Sequence, residues 1–360
     1  CSGFMSKPLI CVLLPGRLDR PVGGHKVLYQ RLNHIAAKGY PVVIANSVFI
    51  PSESAFFIEI LRKIHAAVRY LWRKHSCRNW FPLHPSIVEK PVWSFHEKYM
   101  PRAGYYMASD ATTAKYLREY PVDSSRLLYY IQGYETWIMS EEQLLDTYKI
   151  PCRKIVVAKW LHKIVSQYDR NCILISNGFD STEFHCTIPI KAKNKFQVSM
   201  LYHMASIKNV KLGFEALEIV HKKVPALSVV LFGVYDEPAS LPNYCTYYYK
   251  PDRNQHLAIN NESAIYVGPS DTEGFGLTVL EAMACGQAVV CTDNPGYRET
   301  AEDGVNALVS KVGDAEALAA NILRLIEDEA LRISLAEKGL SISSEYSIER
   351  GNLLFEDLFN

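Results

Sequence analysis

Apolar and polar positions along this chain predict strands and helices in turn. Residues 8–14 form an apolar run rich in β-formers, followed by a loop that contains Gly23 and Gly24. Val27, Leu28, Leu32, Ile35 and Ala36 then recur at helical spacing until Gly39 stops the helix, and residues 41–45 supply the next strand. Further β-like runs at 92–95, 105–108, 127–131, 155–157 and 172–175 alternate with helical stretches at 111–120 and 159–168. Alternation of this kind predicts a mostly parallel sheet covered on both faces. The first series closes near Ser176.

Residues 177–194 open on the turn pair Asn177 and Gly178 and run on through Lys191 and Lys193, the pattern of a linker. A second series follows, with strands at 197–202, 228–232, 263–267 and 288–292 and helices at 209–223, 277–284 and 314–328. A last helical pattern at 331–359 breaks near 341–347. The expected organisation is α/β throughout. It has an N-terminal Rossmann-like domain at 1–176, a linker at 177–194, a C-terminal Rossmann-like domain at 195–340, and a helix at 341–360 returning to the first domain.

Length agrees with this division, since 360 residues exceed one ordinary core and fit two. Apolar residues at 48% and charged residues at 21% exclude a disordered chain. Thirty-nine basic against 38 acidic side chains leave no long-range field for gathering nucleic acid, so no nucleic-acid partner is expected. The nine cysteines are scattered, with no pair at two-residue spacing, and read as reduced thiols rather than a disulfide frame or zinc site. No apolar run reaches the roughly eighteen residues that a membrane span needs, and no signal pattern opens the chain, so a cytoplasmic location is expected, with Met5 as the natural start. The stretch 56–80 modifies that picture. Ile60, Ile64, Val68, Leu71 and Trp72 fall near one helical face among Arg62, Lys63, Arg69, Arg73, Lys74 and Arg78. Such a helix either lies on an anionic membrane surface or packs its stripe into the first domain.

The densest chemistry lies at 270–286. This stretch follows a buried strand and opens a helix. Gly274 and Gly276 let the backbone come close to a ligand, with Phe275 between them. The N–H groups of Gly276, Leu277 and Thr278 would point out of the helix start, where hydrogen bonds and dipole favour a diphosphate. Glu281 lies about one turn on and can accept from ribose hydroxyls, while Glu273 precedes the glycines and faces the other end of such a ligand. A pair of surface glutamates flanking a helix cap is the plainer alternative.

The string from Glu273 to Gly286 resembles the two-glutamate motif of the large retaining glycosyltransferases of the GT-B fold, glycosyltransferase group 1 or family 4. Asn177-Gly178-Phe179-Asp180 and the pair Gly23 and Gly24 extend the resemblance over most of the chain. It implies two Rossmann-like domains facing across a cleft, and a nucleoside diphosphate-sugar as donor substrate with no further cofactor. Glu273 would bind the transferred sugar and support its developing positive charge, and Glu281 would grip the ribose. Gly23 and Gly24 would approach the donor phosphate, and Lys208 would neutralise the diphosphate. The family usually has an arginine a few residues before that lysine. Here His203 stands near that place, so one phosphate contact is weaker, pH-dependent or supplied elsewhere, with Lys250 as a candidate. His96 matches a histidine that contacts the donor sugar in family members, or is a plain loop histidine. No Asp-x-Asp pair occurs, so metal-independent chemistry is expected, with helix N–H groups and lysine stabilising the leaving diphosphate.

In the first domain, 105–114 and 129–137 place polar and aromatic residues just after β-like runs, where open parallel sheets bind ligands. These strings are similar to bacterial rhamnosyltransferases of surface-polysaccharide assembly. Asp110, Gln132, Tyr134 and Glu135 are the acceptor-side candidates, for a glycan or lipid-linked saccharide, unless they cap a helix and fill the core. Two other functions fit the same features: an inactive donor-binding subunit of a partner enzyme, and a sugar-nucleotide epimerase. A nicotinamide dehydrogenase is disfavoured, because no Gly-x-Gly-x-x-Gly follows the first strand.

Overall fold

The computed structural model describes residues 7–16, 21, 23–47 and 76–360. The chain divides into two compact units, Cys1–Ser176 with Asn352–Asn360, and Asn177–Gly351. Each is a doubly wound parallel sheet.

In the first unit the strands are β1 (Ile10–Leu14), β2 (Val42–Ser47), β3 (Val88–Val92), β4 (Tyr105–Ala108), β5 (Leu127–Ile131), β6 (Arg153–Val156) and β7 (Ile173–Leu174). They lie in the order β3-β2-β1-β4-β5-β6-β7, all parallel, with Ile10 opposite both Val42 and Tyr105. Every residue of β1 and β5 is buried, which is why these strands read as unbroken apolar runs instead of alternating ones. The described helices are α1 (Gly23–Ala37), α2 (Ala111–Ala114), α3 (Glu141–Thr147) and α4 (Lys159–Val165). Helix α1 buries the stripe Val27, Leu28, Leu32, Ile35 and Ala36, and Gly39, at φ 88°, turns the chain out of it.

In the second unit β8 (Asn194–Tyr202), β9 (Ser228–Gly233), β10 (Cys245–Tyr249), β11 (Ser263–Gly268), β12 (Ala288–Thr292) and β13 (Ala307–Ser310) lie parallel in the order β10-β9-β8-β11-β12-β13. Helices α5 (Val210–Lys223), α6 (Arg253–Glu262), α7 (Leu277–Ala284), α8 (Ala315–Glu327) and α9 (Glu329–Ser343) cover both faces. Val229, Leu231, Ile265 and Val267 pack with Leu217 and Ile322, whereas their alternates Val230, Phe232 and Tyr266 pack with Val279 and Met283. Gly178 lies where a Cβ would stand 2.6 Å from the backbone of Ser347, so only glycine lets 177–179 run beside 346–348. The last helix, α10 (Ile348–Glu356), carries the chain into the first unit, where Phe355 and Phe359 meet Tyr130, Tyr40 and Tyr105 at ring distances of 6.0, 5.9 and 5.2 Å.

The differences from the sequence reading have local causes. The strand expected at 92–95 is β3 at Val88–Val92, an edge strand with Pro91 and mostly exposed side chains, and so without apolar alternation. The helix expected at 111–120 is α2 plus a 3₁₀ turn, Lys115–Glu119, because Pro121 holds Tyr120 extended at ψ 133°. The helix expected at 159–168 ends at Val165, and the polar run expected as linker to 194 yields to β8 at Asn194. Strand β10 escapes the pattern as a half-exposed edge, and α6 as a polar helix held by an Asp252 capping box. Residues 56–75 of the basic stretch lie outside the described residues. Among the described residues no helix is long and apolar enough to cross a membrane.

In each sheet the strand order reverses once, between β1 and β4 and between β8 and β11. Chains leaving two such neighbours diverge to opposite faces and open a crevice at their carboxyl ends, where ligands bind in sheets of this kind. The segments singled out by sequence, 203–208 and 269–276, leave β8 and β11.

Candidate functional site

The two loops at the reversal point of the second unit are tied together by backbone geometry. Ser206–Lys208 form a 3₁₀ turn, and Asn209, left-handed at φ 41°, caps α5 by accepting from the Leu212 N–H at 3.2 Å. The Asn209 amide donates to Asp271 Oδ1 at 2.7 Å, and the Asp271 N–H donates to the Ile207 carbonyl at 2.8 Å. Across this tie Lys208 Nζ stands 2.7 Å from each oxygen of Glu273. The side chains are 22% and 12% exposed, so the pair is partly desolvated but remains open to a ligand.

Glu273 is aimed from below as well. The buried Tyr297 hydroxyl donates to Ser270 Oγ at 3.0 Å, and Ser270 Oγ donates to Glu273 Oε1 at 2.8 Å. The Ser270 carbonyl accepts from Thr292 Oγ1 and, at 3.1 Å, from the Asn294 amide. A Cβ on Gly296 would lie 2.4 Å from the Glu273 carbonyl oxygen. Sequence reading missed this supporting shelf at 292–297; the signal available was the Asn294-Pro295-Gly296 turn directly after a buried strand.

Gly276 precedes α7 at φ 88°, and a Cβ there would fall 2.6 Å from Tyr297 Cδ1. Both the left-handed backbone and the neighbouring ring demand glycine. No side chain caps this helix start, so its first N–H groups and the positive end of its dipole face outward beside Lys208 and Glu273. Leu277, Thr278 and Glu281 are half-buried on α7, and Phe275 is buried with its ring 5.8 Å from Tyr346. Lys208, Glu273, Gly274, Gly276 and the α7 start are thus assembled at one place.

His203 and Lys250, the other candidates for phosphate contact, engage neighbouring groups. His203 Nδ1 accepts the Ala205 N–H at 3.0 Å, and its Nε2 stands 3.4 Å from the Tyr235 hydroxyl. Lys250 is exposed beyond the edge strand β10, left-handed at φ 45°, with its ammonium 4.8 Å from the Tyr249 ring centroid.

In the first unit α1 begins at Gly23, and a Cβ on Gly24 would come within 2.5 Å of Gln132 Oε1, a buried atom with no hydrogen-bond partner. Asp110 caps α2 in a capping box with Thr113, which engages its carboxylate structurally. Glu135 is buried and accepts the Ala111 N–H at 2.8 Å; burial, reinforced by the Asp110 charge, pushes its carboxyl up to about 8. The Tyr134 hydroxyl donates to Glu141 Oε1 at 2.5 Å. His96 pairs with Glu119 at 2.9 Å and meets Tyr116 edge-on at 5.1 Å. His25, next to the glycine pair and unremarked by sequence reading, has a buried Nδ1 without a partner, and burial lowers its pKa to about 4.

Residues 187–341, which contain the whole assembly around Lys208 and Glu273, match the family described as glycosyl transferases group 1. This segment carries the likeness to glycosyltransferase group 1. A curated relative is the N,N'-diacetylbacillosaminyl-diphospho-undecaprenol alpha-1,3-N-acetylgalactosaminyltransferase of Campylobacter jejuni, 33% identical over 144 residues, 39% of this chain and 38% of that protein. The chain matches about two fifths of the length of the first curated relatives. Solved structures extend the likeness to the whole fold. Sucrose-phosphate synthase from Thermosynechococcus elongatus superposes with a TM-score of 0.69 at 17% identity over 98% of both chains. Anabaena HepE, crystallised with UDP-glucose, gives 0.71 at 15% identity over 97% of this chain and 98% of that one. The fold is therefore GT-B, two parallel-sheet α/β domains.

Proposed function

We propose that the protein is a glycosyltransferase that moves a sugar, rhamnose or another hexose, from a nucleoside diphosphate-sugar to a glycan or lipid-linked saccharide, retaining anomeric configuration and using no metal. The observation that carries this reading is the Lys208–Glu273 pair beside the uncapped start of α7 at Gly276. A cation and a row of helix N–H groups suit a diphosphate, while a carboxylate held among them suits a sugar whose anomeric carbon becomes positive. In this reading Lys208 and the first turn of α7 neutralise the leaving diphosphate, Glu281 accepts from the ribose hydroxyls, and Glu273 holds the transferred sugar.

The acceptor hydroxyl attacks the anomeric carbon on the face the diphosphate leaves. The new glycosidic bond forms as the bond to the phosphate oxygen breaks, and that oxygen takes the hydroxyl proton. The relatives support the substrate classes: one is named for a diphospho-undecaprenol saccharide and a structural neighbour holds UDP-glucose. The acceptor side falls to Gln132 and Glu135 of the first unit, and the stretch 56–80 to an anionic membrane surface.

A thermal-shift panel of UDP-, GDP- and dTDP-sugars tests the donor site, since a ligand bound only by the folded state raises its melting temperature. Stabilisation by at least one of them is expected, and none by any would remove the proposal. NMR assignment of the product anomer tests the stereochemistry, and an inverted linkage would refute retention.

A further inference from the structure

His203 stands where a phosphate-binding cation was expected, yet its hydrogen bonds suit a neutral ring. Nδ1 accepts a backbone N–H, from Ala205 at 3.0 Å, so it carries no proton in this geometry. The neutral tautomer then bears its proton on Nε2, 3.4 Å from the Tyr235 oxygen, with the two rings edge-on at 4.8 Å.

These contacts belong to a longer chain. The Tyr247 hydroxyl donates to the Tyr235 carbonyl. Tyr235 meets His203, and His203 holds the Ala205 N–H. The Ala205 carbonyl in turn accepts the Lys208 N–H at 3.0 Å, and Lys208 meets Glu273. The links cross the carboxyl ends of β10, β9, β8 and β11 in their spatial order.

We propose that His203 and Tyr235 are positioning residues: as a neutral hydrogen-bonded pair they set the turn 203–208, and through it the approach of Lys208 to a diphosphate. His203 adds no charge to the ligand. This inference rests on the donor site proposed above.

Three substitutions at one position separate positioning from charge, read as Kd for UDP, GDP and dTDP by calorimetry on the full chain. His203→Asn keeps an oxygen that can accept the N–H two residues on, as in an Asx turn. His203→Ala loses it, and His203→Arg loses it while adding a cation. For whichever diphosphate the wild type binds, Asn is expected within about threefold of wild type, with Ala and Arg both weaker by about tenfold, the loss that one hydrogen bond implies. Tyr235→Phe should weaken binding by about twofold to threefold. The reverse order, Arg at least as tight as wild type and Asn as weak as Ala, would overturn the inference and leave the donor site standing. No binding of any diphosphate by the wild type removes both. Imidazole ¹⁵N shifts give an arm independent of ligand: an unprotonated Nδ1 is expected at neutral pH, and a protonated Nδ1 overturns the positioning role.

Discussion

The two units share a strand order but equip its reversal point in opposite ways. At the carboxyl ends of β8 and β11 the second unit sets a lysine against a glutamate, both partly exposed, beside a helix start with no side-chain cap. Near the ends of β1, β4 and β5 the first unit has a histidine held neutral by burial, a carboxyl pushed up to about 8, and a buried amide oxygen without a partner. One edge holds an open ion pair, whereas on the other the Asp110 charge stands beside groups held largely neutral at pH 7. Topology fixes where a ligand can bind, and the side chains decide its chemistry: on the proposed reading the charged edge takes a diphosphate, and the edge of amide and carboxyl groups takes sugar hydroxyls.

Removing charge from the second unit tests this contrast most severely. Glu273→Ala, on the proposed reading, lowers sugar transfer by about 10²–10³-fold, the scale of losing one preorganised electrostatic group. Product formation with a donor that stabilises the wild type is the measurement, and a rate within tenfold of wild type would show that the carboxylate does not serve the transition state. Gly276→Ala attacks the frame instead. A left-handed backbone and a Cβ 2.6 Å from Tyr297 should together cost about 2–4 kcal/mol in urea unfolding. A loss below 0.5 kcal/mol, roughly the range of a neutral surface change, would mean that the helix start is not pinned by that ring. Lys208→Met should weaken donor binding by about tenfold to a hundredfold, as expected for one charge-assisted contact. Unchanged affinity would take the lysine out of the phosphate site.

Much of this contrast is legible in the sequence, for physical reasons. Strands buried on both faces leave largely apolar runs, so β1, β5 and β11 and the α/β class can be read directly. The strand-turn-helix at 263–284 is equally plain, because glycine spacing and an amphipathic start coincide. Edge strands such as β3 and β10 bury too little to leave a pattern. The shelf of Thr292, Asn294 and Tyr297 under Glu273 is hidden because it arises from contacts 22 to 27 residues apart in the chain. The surroundings of His203 and Glu135 escape for another reason: residue type alone suggests a charge at each, whereas the Ala205 N–H held by His203 and the burial around Glu135 favour neutral groups.

The neutral edge itself can be tested by its dependence on pH. The Glu135 carboxyl titrates near 4.5 when exposed and near 8 in the fold, raised first by burial and then by Asp110. Between those values the folded state holds a proton that the unfolded state has lost, so this group's contribution to stability falls as pH rises through the window. The slope is at most about 1.4 kcal/mol per pH unit. His25, with its pKa lowered to about 4, acts in the opposite sense as pH falls below its exposed value of 6.5. The wild-type curve alone is therefore a sum, and the difference from Glu135→Gln is what isolates the carboxyl. Glutamine copies the protonated form closely enough to keep the Ala111 N–H contact. The variant should match wild type near pH 4.5 and become relatively more stable towards pH 8, measured by urea midpoints at fixed ionic strength. A difference that stays flat across the window would show that Glu135 is ionised in the fold, and the contrast between a charged and a neutral edge would fail at its most buried acid.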